Sequence, residues 1–345
     1  MNNSISKQKN NRLTELDALR GLAAVCVVMY HYTQRFNELY PNYMSVEFKF
    51  SYGNLGVQLF FIISGFVIFL TIKQTTTSVE FIKKRAIRLY PAYITCVIIT
   101  FLCVSIFGLE GRETSFKDAL INLSLLEGFI PGTNYVDGAY WSLTVEITFY
   151  ILISILIYFR SVKYIYQILC VWLFSSTILY FIVEKTNLKI LGILYERAIF
   201  NYAYLFIAGI SFYFLMQKKS YKYILLLFST LLFQFLTSDI VTFTIVLILY
   251  FVFWLAITKK ISLLSRKPLL FMGNISYGLY LIHQNIGYII ILKMNDLGFN
   301  NQYYLIIPLI ISIILAYIIT KYLEKPMMKF LYKKYISNNN IKKAS

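Results

Sequence analysis

The chain has 345 residues, of which 58% are hydrophobic, 18% are aromatic and only 14% are charged. Soluble domains carry about 25% charged residues, so this composition excludes an ordinary soluble protein. The formal net charge of +17 would suit a nucleic-acid partner, but its distribution along the chain indicates membrane topology instead.

Apolar segments follow one another along the whole chain, and each is close to the ~20 residues that cross a bilayer as a helix. The predicted segments are 16–35, 53–72, 88–108, 141–159, 164–183, 198–216, 221–237, 240–257, 273–292 and 303–323. The sequence therefore predicts an all-α, polytopic membrane bundle of about ten transmembrane helices.

Three regions are expected: an N-terminal tail (1–15), a transmembrane domain (16–323) and a C-terminal tail (324–345). With the N-terminus placed in the cytoplasm, 23 Lys and Arg residues fall on the inner side and 8 on the outer side. Because Lys and Arg concentrate in cytoplasmic loops, both tails are expected in the cytoplasm, and no nucleic-acid partner is expected.

The first apolar segment carries ionisable residues. His31 and His283 are the only histidines of the chain, and intramembrane ionisable residues are costly enough to mark a functional site by default. Arg20 lies 11 residues before His31, so both share one helix face about 16 Å apart. Asp17 can pair with Arg20 at i, i+3. A topology anchor with an interhelical hydrogen bond is the structural alternative.

A basic run, Lys83-Lys84-Arg85-Ala86-Ile87-Arg88, precedes Pro91 at the third segment. Arg85 and Arg88 share a face at the start of a helix, which suits a phosphate group. Positive-inside topology and lipid headgroups are the simpler explanation of such a run.

Glu146 is the only acidic residue deep inside an apolar segment. It follows Trp141 and Ser142 on a helix that enters from the outer side, which puts its carboxylate about 8–9 Å below the outer end. His31 is predicted at a similar depth. A carboxylate beside an imidazole suits a general-base pair, and a structural carboxylate is the alternative.

His283 is ten residues from Gly273, or about 15 Å into its segment, near the bilayer midplane. The polar residues around it are predicted to face a cavity or a partner helix. They are Asn274, Ser276, Tyr277, Tyr280, Gln284 and Asn285. A packed histidine and a ligand-contacting one fit this pattern equally well. The sequence contains no metal-ligand cluster, no GxxxxGK loop and no GxSxG motif.

Together, five motifs in order resemble the acyltransferase family 3 of bacterial inner-membrane proteins, which typically have ten spans. They are Leu16–Gly21 with His31 (an R-x10-H pattern), Gly56–Phe66, Lys84–Pro91, Trp141–Glu146 and Ile275–His283. Many members also carry an extracytoplasmic SGNH-type domain. This sequence shows none, so a two-step transfer through a fused serine esterase is not expected.

The resemblance implies acyl transfer, often of acetyl, from cytoplasmic acyl-CoA to a hydroxyl group of a surface glycan. His31 would deprotonate the sugar hydroxyl or carry the acyl group itself, with Glu146 orienting the imidazole. The residues expected to bind acyl-CoA are Arg20, Arg85, Arg88 and His283. Secondary candidates are Asp17, Trp141, Ser142, Tyr277 and Tyr280.

The sequence thus predicts an integral O-acyltransferase of the bacterial cytoplasmic membrane that modifies a cell-surface carbohydrate. The resemblance implies acyl-CoA, commonly acetyl-CoA, as co-substrate, with no permanently bound cofactor and no metal. The lipid bilayer and a glycan acceptor are the expected partners. The alternative from a different class is a transporter of acyl donors or glycan precursors, with His31, Glu146 and His283 as a proton relay.

Overall fold

The structure, a computed structural model, describes residues 13–44, 46–72, 75, 77–186 and 188–337. Within these ranges the chain forms helices joined by turns, with no β-strand element, and the predicted all-α membrane bundle is confirmed. The helices are α1 Thr14–Tyr30, α2 Phe36–Leu39, α3 Gly56–Ile72, α4 Ser78–Phe107, α5 Phe116–Asn122, α6 Trp141–Tyr158, α7 Ile165–Thr186, α8 Lys189–Arg197, α9 Ala203–Gln217, α10 Tyr221–Thr237, α11 Ile240–Ile257, α12 Lys267–Asp296, α13 Ile306–Ile318 and α14 Lys325–Tyr332. Residues 1–12 and 338–345 of the two predicted tails lie outside the described residues.

Each predicted span overlaps a helix, but the predicted count of about ten is not exact. Over the described ranges, seven helices are long and apolar enough to cross a membrane. An eighth is added if the bent pair Lys189–Arg197 and Phe200–Gln217, which meet at 54°, forms one span. α10 has only 17 residues, and the polar residues of α1 lower its apolar character. A prediction from apolarity alone does not distinguish a broken helix from one that crosses the membrane in one piece.

The first helix continues beyond its predicted end. At His31–Arg35 the backbone loosens into a π-helical turn, and α2 then carries the helix on to Leu39. Single π-helical turns inside α-helices occur frequently at functional sites. The extension places His31 well inside the bundle, seventeen residues from the start of α1 at Thr14.

A glycine contact holds α1 against α12. A Cβ atom on Gly21 would collide with the backbone of Met272 and Gly273, and one on Gly273 would collide with the backbone of Asp17. The two helix backbones therefore touch at this point. His31 and His283 lie ten residues further along their helices and are also in contact. α1 and α12 thus run parallel in a shared register.

The connection between α4 and α6 packs onto α12. Asp137 is fully buried, and its carboxylate accepts hydrogen bonds from the backbone N–H of Ala139 (2.9 Å) and of Asn285 (3.0 Å). Tyr140 donates its hydroxyl to the carbonyl oxygen of Leu281 at 3.2 Å. α6 therefore begins level with His283. We call the end of the bundle with this connection the loop end, and the end where α4 begins the arginine end.

Candidate active site

The two histidines of the chain form a pair inside the bundle. Nε2 of His283 lies 3.1 Å from Nδ1 of His31, and the two rings meet edge to face with centroids 4.9 Å apart. His31 Nδ1 is also 2.9 Å from the carbonyl oxygen of Val27. On the other ring, Nδ1 of His283 is 2.8 Å from the carbonyl oxygen of Tyr280.

The hydrogen-bond partners select the tautomer of each neutral ring. A carbonyl oxygen only accepts, so Nδ1 of His283 carries the proton given to Tyr280, and Nε2 of His283 is left as an acceptor. The atom facing that acceptor, Nδ1 of His31, must then be the donor. It follows that Nε2 of His31 holds a free lone pair, and this atom has no hydrogen-bond partner among the described residues.

Neighbouring residues fix the backbone around the pair. Tyr32 donates its hydroxyl to the carbonyl oxygen of His283 at 2.8 Å and lies 2.8 Å from the hydroxyl of Ser312. The Tyr32 ring can reach α12 because position 287 is glycine, where a Cβ atom would overlap the ring. His283 is fully buried and Tyr32 is 1% exposed. The pair is therefore held rigidly on both helices.

A cavity of about 250 Å³ lies between the histidine pair and the arginine end. Its polar lining at the arginine end comes from Arg20, Arg85, Arg88 and Glu146, and at the opposite end from Ser142 and Tyr280. Three guanidinium groups and one carboxylate line the cavity, and the carboxylates that pair with two of these arginines are not among its lining residues. We call it the arginine pocket. The sequence-predicted arginines of α1 and α4 are thus brought together.

The arginines are only partly neutralised. Arg20 pairs with Asp17 at 3.4 Å, which confirms the predicted ion pair. Arg88 pairs with the buried Glu324. Arg85 donates to the hydroxyl of Thr71 at 3.0 Å, whereas its buried Nε–H has no hydrogen-bond partner among the described residues. An anion with several acceptor oxygens would complete such a set.

Glu146 is in the arginine pocket, and the prediction that it neighbours His31 is wrong. Its carboxylate accepts hydrogen bonds from Tyr150 and, at 3.2 Å, from Ser64. The depth estimate failed because α6 starts inside the bundle, level with His283, so that Glu146 lies a further turn or two toward the arginine end. The prediction that His283 is deeper than His31 is wrong for a related reason, since the first helix is longer than predicted.

The secondary candidates fall into two groups. Ser142 and Tyr280 line the pocket and hydrogen-bond to each other at 2.7 Å, and Tyr280 also contacts the ring of His283. Tyr277 lines the same pocket and donates to the carbonyl oxygen of Leu89 at 3.1 Å. Trp141 instead packs against Phe61 and Tyr202 and does not line the pocket.

Sequence reasoning missed several residues of the site. Glu324, the partner of Arg88, falls in the predicted C-terminal tail because apolarity decreases there. Tyr32 and Ser312 carry no motif. The equal spacing of Gly21 to His31 and of Gly273 to His283 is the one signal that could have indicated the histidine contact.

Comparisons with known proteins agree on a family. A family model described as "Acyltransferase domain" matches residues 13–321. The O-acetyltransferase OatA of Staphylococcus aureus is 25% identical over an alignment of 376 positions, which covers 93% of this chain and 58% of the relative. The O-acetyl transferase of Shigella phage Sf6 is 24% identical over 150 residues, covering 40% and 44%. Nodulation protein 10 of Rhizobium leguminosarum bv. viciae is 26% identical over 176 residues, covering 45% and 46%.

The chain spans about half the length of these curated relatives. No solved structure matches the chain.

Proposed function

The chain belongs to the acyltransferase family whose model matches residues 13–321, and from this premise we propose that it is a membrane O-acyltransferase that moves an acetyl group from acetyl-CoA to a hydroxyl group of a surface carbohydrate. The observation that carries the proposal is the histidine pair, in which Nε2 of His31 is left as a free base beside the arginine-lined pocket.

The arginine pocket is proposed to bind the donor. CoA is a polyanion, and planar guanidinium groups are well suited to phosphate oxygens. Arg20 and His31 are about 16 Å apart along their helix, which is on the order of the reach of a pantetheine arm. With the phosphates at the arginines, the thioester would extend toward Ser142 and Tyr280, at the end of the pocket that adjoins His283.

His31 is proposed as the general base. Its Nε2 atom removes the proton of the acceptor hydroxyl while the oxygen attacks the acetyl carbonyl carbon. The carbon–sulfur bond of the thioester breaks, and the departing CoA thiolate takes the proton from His31, which yields the sugar ester and free CoA. The imidazolium formed in between donates from Nδ1 to Val27 and His283, so His283 acts as the orienting partner.

The arginine end is proposed to face the cytoplasm of a bacterial cell, in accord with the concentration of Lys and Arg on that side. Cytoplasmic acetyl-CoA then enters the arginine pocket directly, and the loop end receives the glycan from outside. Both termini are proposed to be cytoplasmic.

The test is transfer by the purified chain in proteoliposomes. Surface glycan from cells lacking the chain and acetyl-CoA labelled in the acetyl group are supplied, and the label is followed. Base-labile label on the glycan supports the proposal, whereas uptake of label without covalent attachment would support a transporter. Recovery of acetyl on His31 after acid quenching would make that residue an acyl carrier and would contradict the general-base assignment.

A further inference from the structure

A second polar cluster lies on the loop-end side of the histidine pair, and the proposed donor site does not use it. It contains the cation Arg112, in the connection between α4 and α5, and Arg35 also interacts electrostatically with its Tyr288. The guanidinium of Arg112 is 5.7 Å from the ring centroid of Tyr288, and it has no hydrogen bond or ion pair among the described residues. It is close enough to His31 and Asp137 to interact with both electrostatically.

The neighbouring carboxylate, Asp137, makes no ion pair with Arg112. Both oxygens of Asp137 are occupied by backbone N–H groups of Ala139 and Asn285. Burial raises the pKa of Asp137 to about 6, and the charge of Arg112 acts in the opposite direction, so Asp137 offsets the charge of Arg112 at a distance without pairing with it. The donor groups of Arg112 are therefore left available for a ligand.

The floor of the cluster contains polar atoms that lack partners. Within the described residues, Oε1 of Gln284, Oδ1 of Asn285 and the hydroxyl oxygen of Tyr288 are buried without a hydrogen bond. Leaving a buried polar group unsatisfied costs about 1–3 kcal/mol. The three atoms lie within two turns of α12, directly after His283, and the Gln284 amide is near the Tyr288 hydroxyl; a polar ligand at this place could supply the missing partners.

A glycine shapes the cluster. A Cβ atom at Gly138 would lie 2.6 Å from Nη1 of Arg112 and 3.0 Å from both polar atoms of the Gln284 amide. The guanidinium and the amide thus approach the same point on the backbone, and glycine permits this close approach. A hydroxyl-rich ligand with an anionic group matches this combination, because the amide and the phenol can bind hydroxyls and the guanidinium can bind two acidic oxygens.

We propose that Arg112, Gln284 and Tyr288 form the acceptor subsite, and that it binds an acidic sugar whose carboxylate or phosphate contacts Arg112 while the neighbouring hydroxyl reaches Nε2 of His31. The inference rests on the proposed acyl transfer and adds the charge class of its acceptor. Arg112 could instead stabilise the oxyanion of the acetyl group, and the two roles make different predictions, since an oxyanion contact would serve acidic and neutral acceptors equally.

The experiment uses one glycan in three forms. Surface glycan from cells lacking the chain is left untreated, reduced at its carboxylates with carbodiimide and borohydride, or stripped of phosphate with hydrogen fluoride. The purified chain, Arg112→Gln and Arg112→Lys are each assayed in proteoliposomes for transfer of labelled acetyl. Acetyl-CoA binding is measured in parallel, and it is expected to be unchanged in both variants because Arg112 is not in the arginine pocket.

With the wild type, one of the two treatments should lower transfer at least tenfold, and it identifies the anionic group. Arg112→Gln should lower transfer to untreated glycan to the same level, with little further loss on the treated glycan, and Arg112→Lys should retain an intermediate level.

Wild-type transfer that is insensitive to both treatments overturns the inference and leaves the proposed function standing. An equal loss for all three glycans in Arg112→Gln assigns Arg112 to the oxyanion and also overturns it. Absence of wild-type transfer to untreated glycan contradicts the proposed function itself.

Discussion

The arginine pocket and the histidine pair share helices α1 and α12 but are built in opposite ways. The pocket is an open cavity in which guanidinium groups are incompletely paired. The histidine pair is enclosed by buried side chains and held by hydrogen bonds to backbone carbonyls on both helices. A binding site for a flexible, highly charged donor can tolerate loose geometry, whereas a proton-transfer group needs a fixed orientation. Changes in the two regions should therefore alter different kinetic constants.

The largest effect is expected from His31→Ala. Loss of a general base typically lowers the rate by about 10²–10⁴-fold, and because His31 does not line the arginine pocket, acetyl-CoA binding should stay within about twofold of wild type. Turnover and acetyl-CoA binding are measured at equal membrane abundance. Near-normal turnover would remove His31 from the mechanism.

A stability effect is expected at Glu127, in the connection that covers the histidine pair. Burial raises the pKa of Glu127 from 4.5 to about 7, so the folded protein disfavours its ionised form. Stability should fall as pH rises from about 4.5 through 7, by about 3 kcal/mol for a shift of this size. Glu127→Gln should remove this loss, so its melting temperature should exceed the wild-type value at pH 8 more than at pH 5. The exposed Glu113→Gln serves as the control, and an equal gain from it would refute the assignment.

The backbone contact between Gly273 and Asp17, which sets the register of α12 against α1, can be disturbed with one methyl group. Gly273→Ala would press a Cβ atom against the backbone of Asp17, and overpacking of this kind costs about 1–3 kcal/mol. Both turnover and melting temperature should fall, because the histidine contact depends on this register. Gly192→Ala is the matched control, since its Cβ atom would meet only Val183 at 4.0 Å. Equal turnover and equal melting temperature in the two variants would show that the histidine contact does not depend on the close approach at Gly273.

The smallest effect is expected in the arginine pocket. Arg85→Ala removes one of three guanidinium groups and should weaken acetyl-CoA binding about tenfold, as expected for a single charge-assisted hydrogen bond, with turnover at saturating donor nearly unchanged. Arg85→Lys should recover only part of the affinity because the planar fork is lost. Lys218→Ala, an exposed residue of equal charge, is the control. If both alanine variants bind acetyl-CoA alike, the basic run is only a topology signal.

Most of the architecture could be predicted from sequence because apolar segments of spanning length are a direct consequence of bilayer thickness. The ion pair of Asp17 and Arg20 could be predicted as well, since it is local in the helix. The exact number of spans could not, because apolarity does not report the break between Lys189–Arg197 and Phe200–Gln217 or the polar interior of α1.

The pairing within the site could not be predicted, because it depends on depth. Two errors of a few residues in predicted depth are enough to place Glu146 instead of His283 beside His31. The first helix extends to Leu39, and the connection before α6 enters the bundle. Sequence singled out the residues that are proposed to carry the chemistry. Their contacts depend on a π-helical turn, a glycine contact and a buried aspartate, none of which has a periodic signal.

The most direct test of the account uses the fact that the chain has only two histidines. The chain, purified without a histidine tag and labelled with ¹⁵N only at histidine, is placed in lipid and studied by solid-state NMR near neutral pH. We expect a cross-peak between protonated Nδ1 of His31 and unprotonated Nε2 of His283, which are 3.1 Å apart, and loss of that peak in His283→Gln. A proton on Nε2 of His31, or the absence of any cross-peak between the two rings, would contradict the assignment of His31 as an oriented free base.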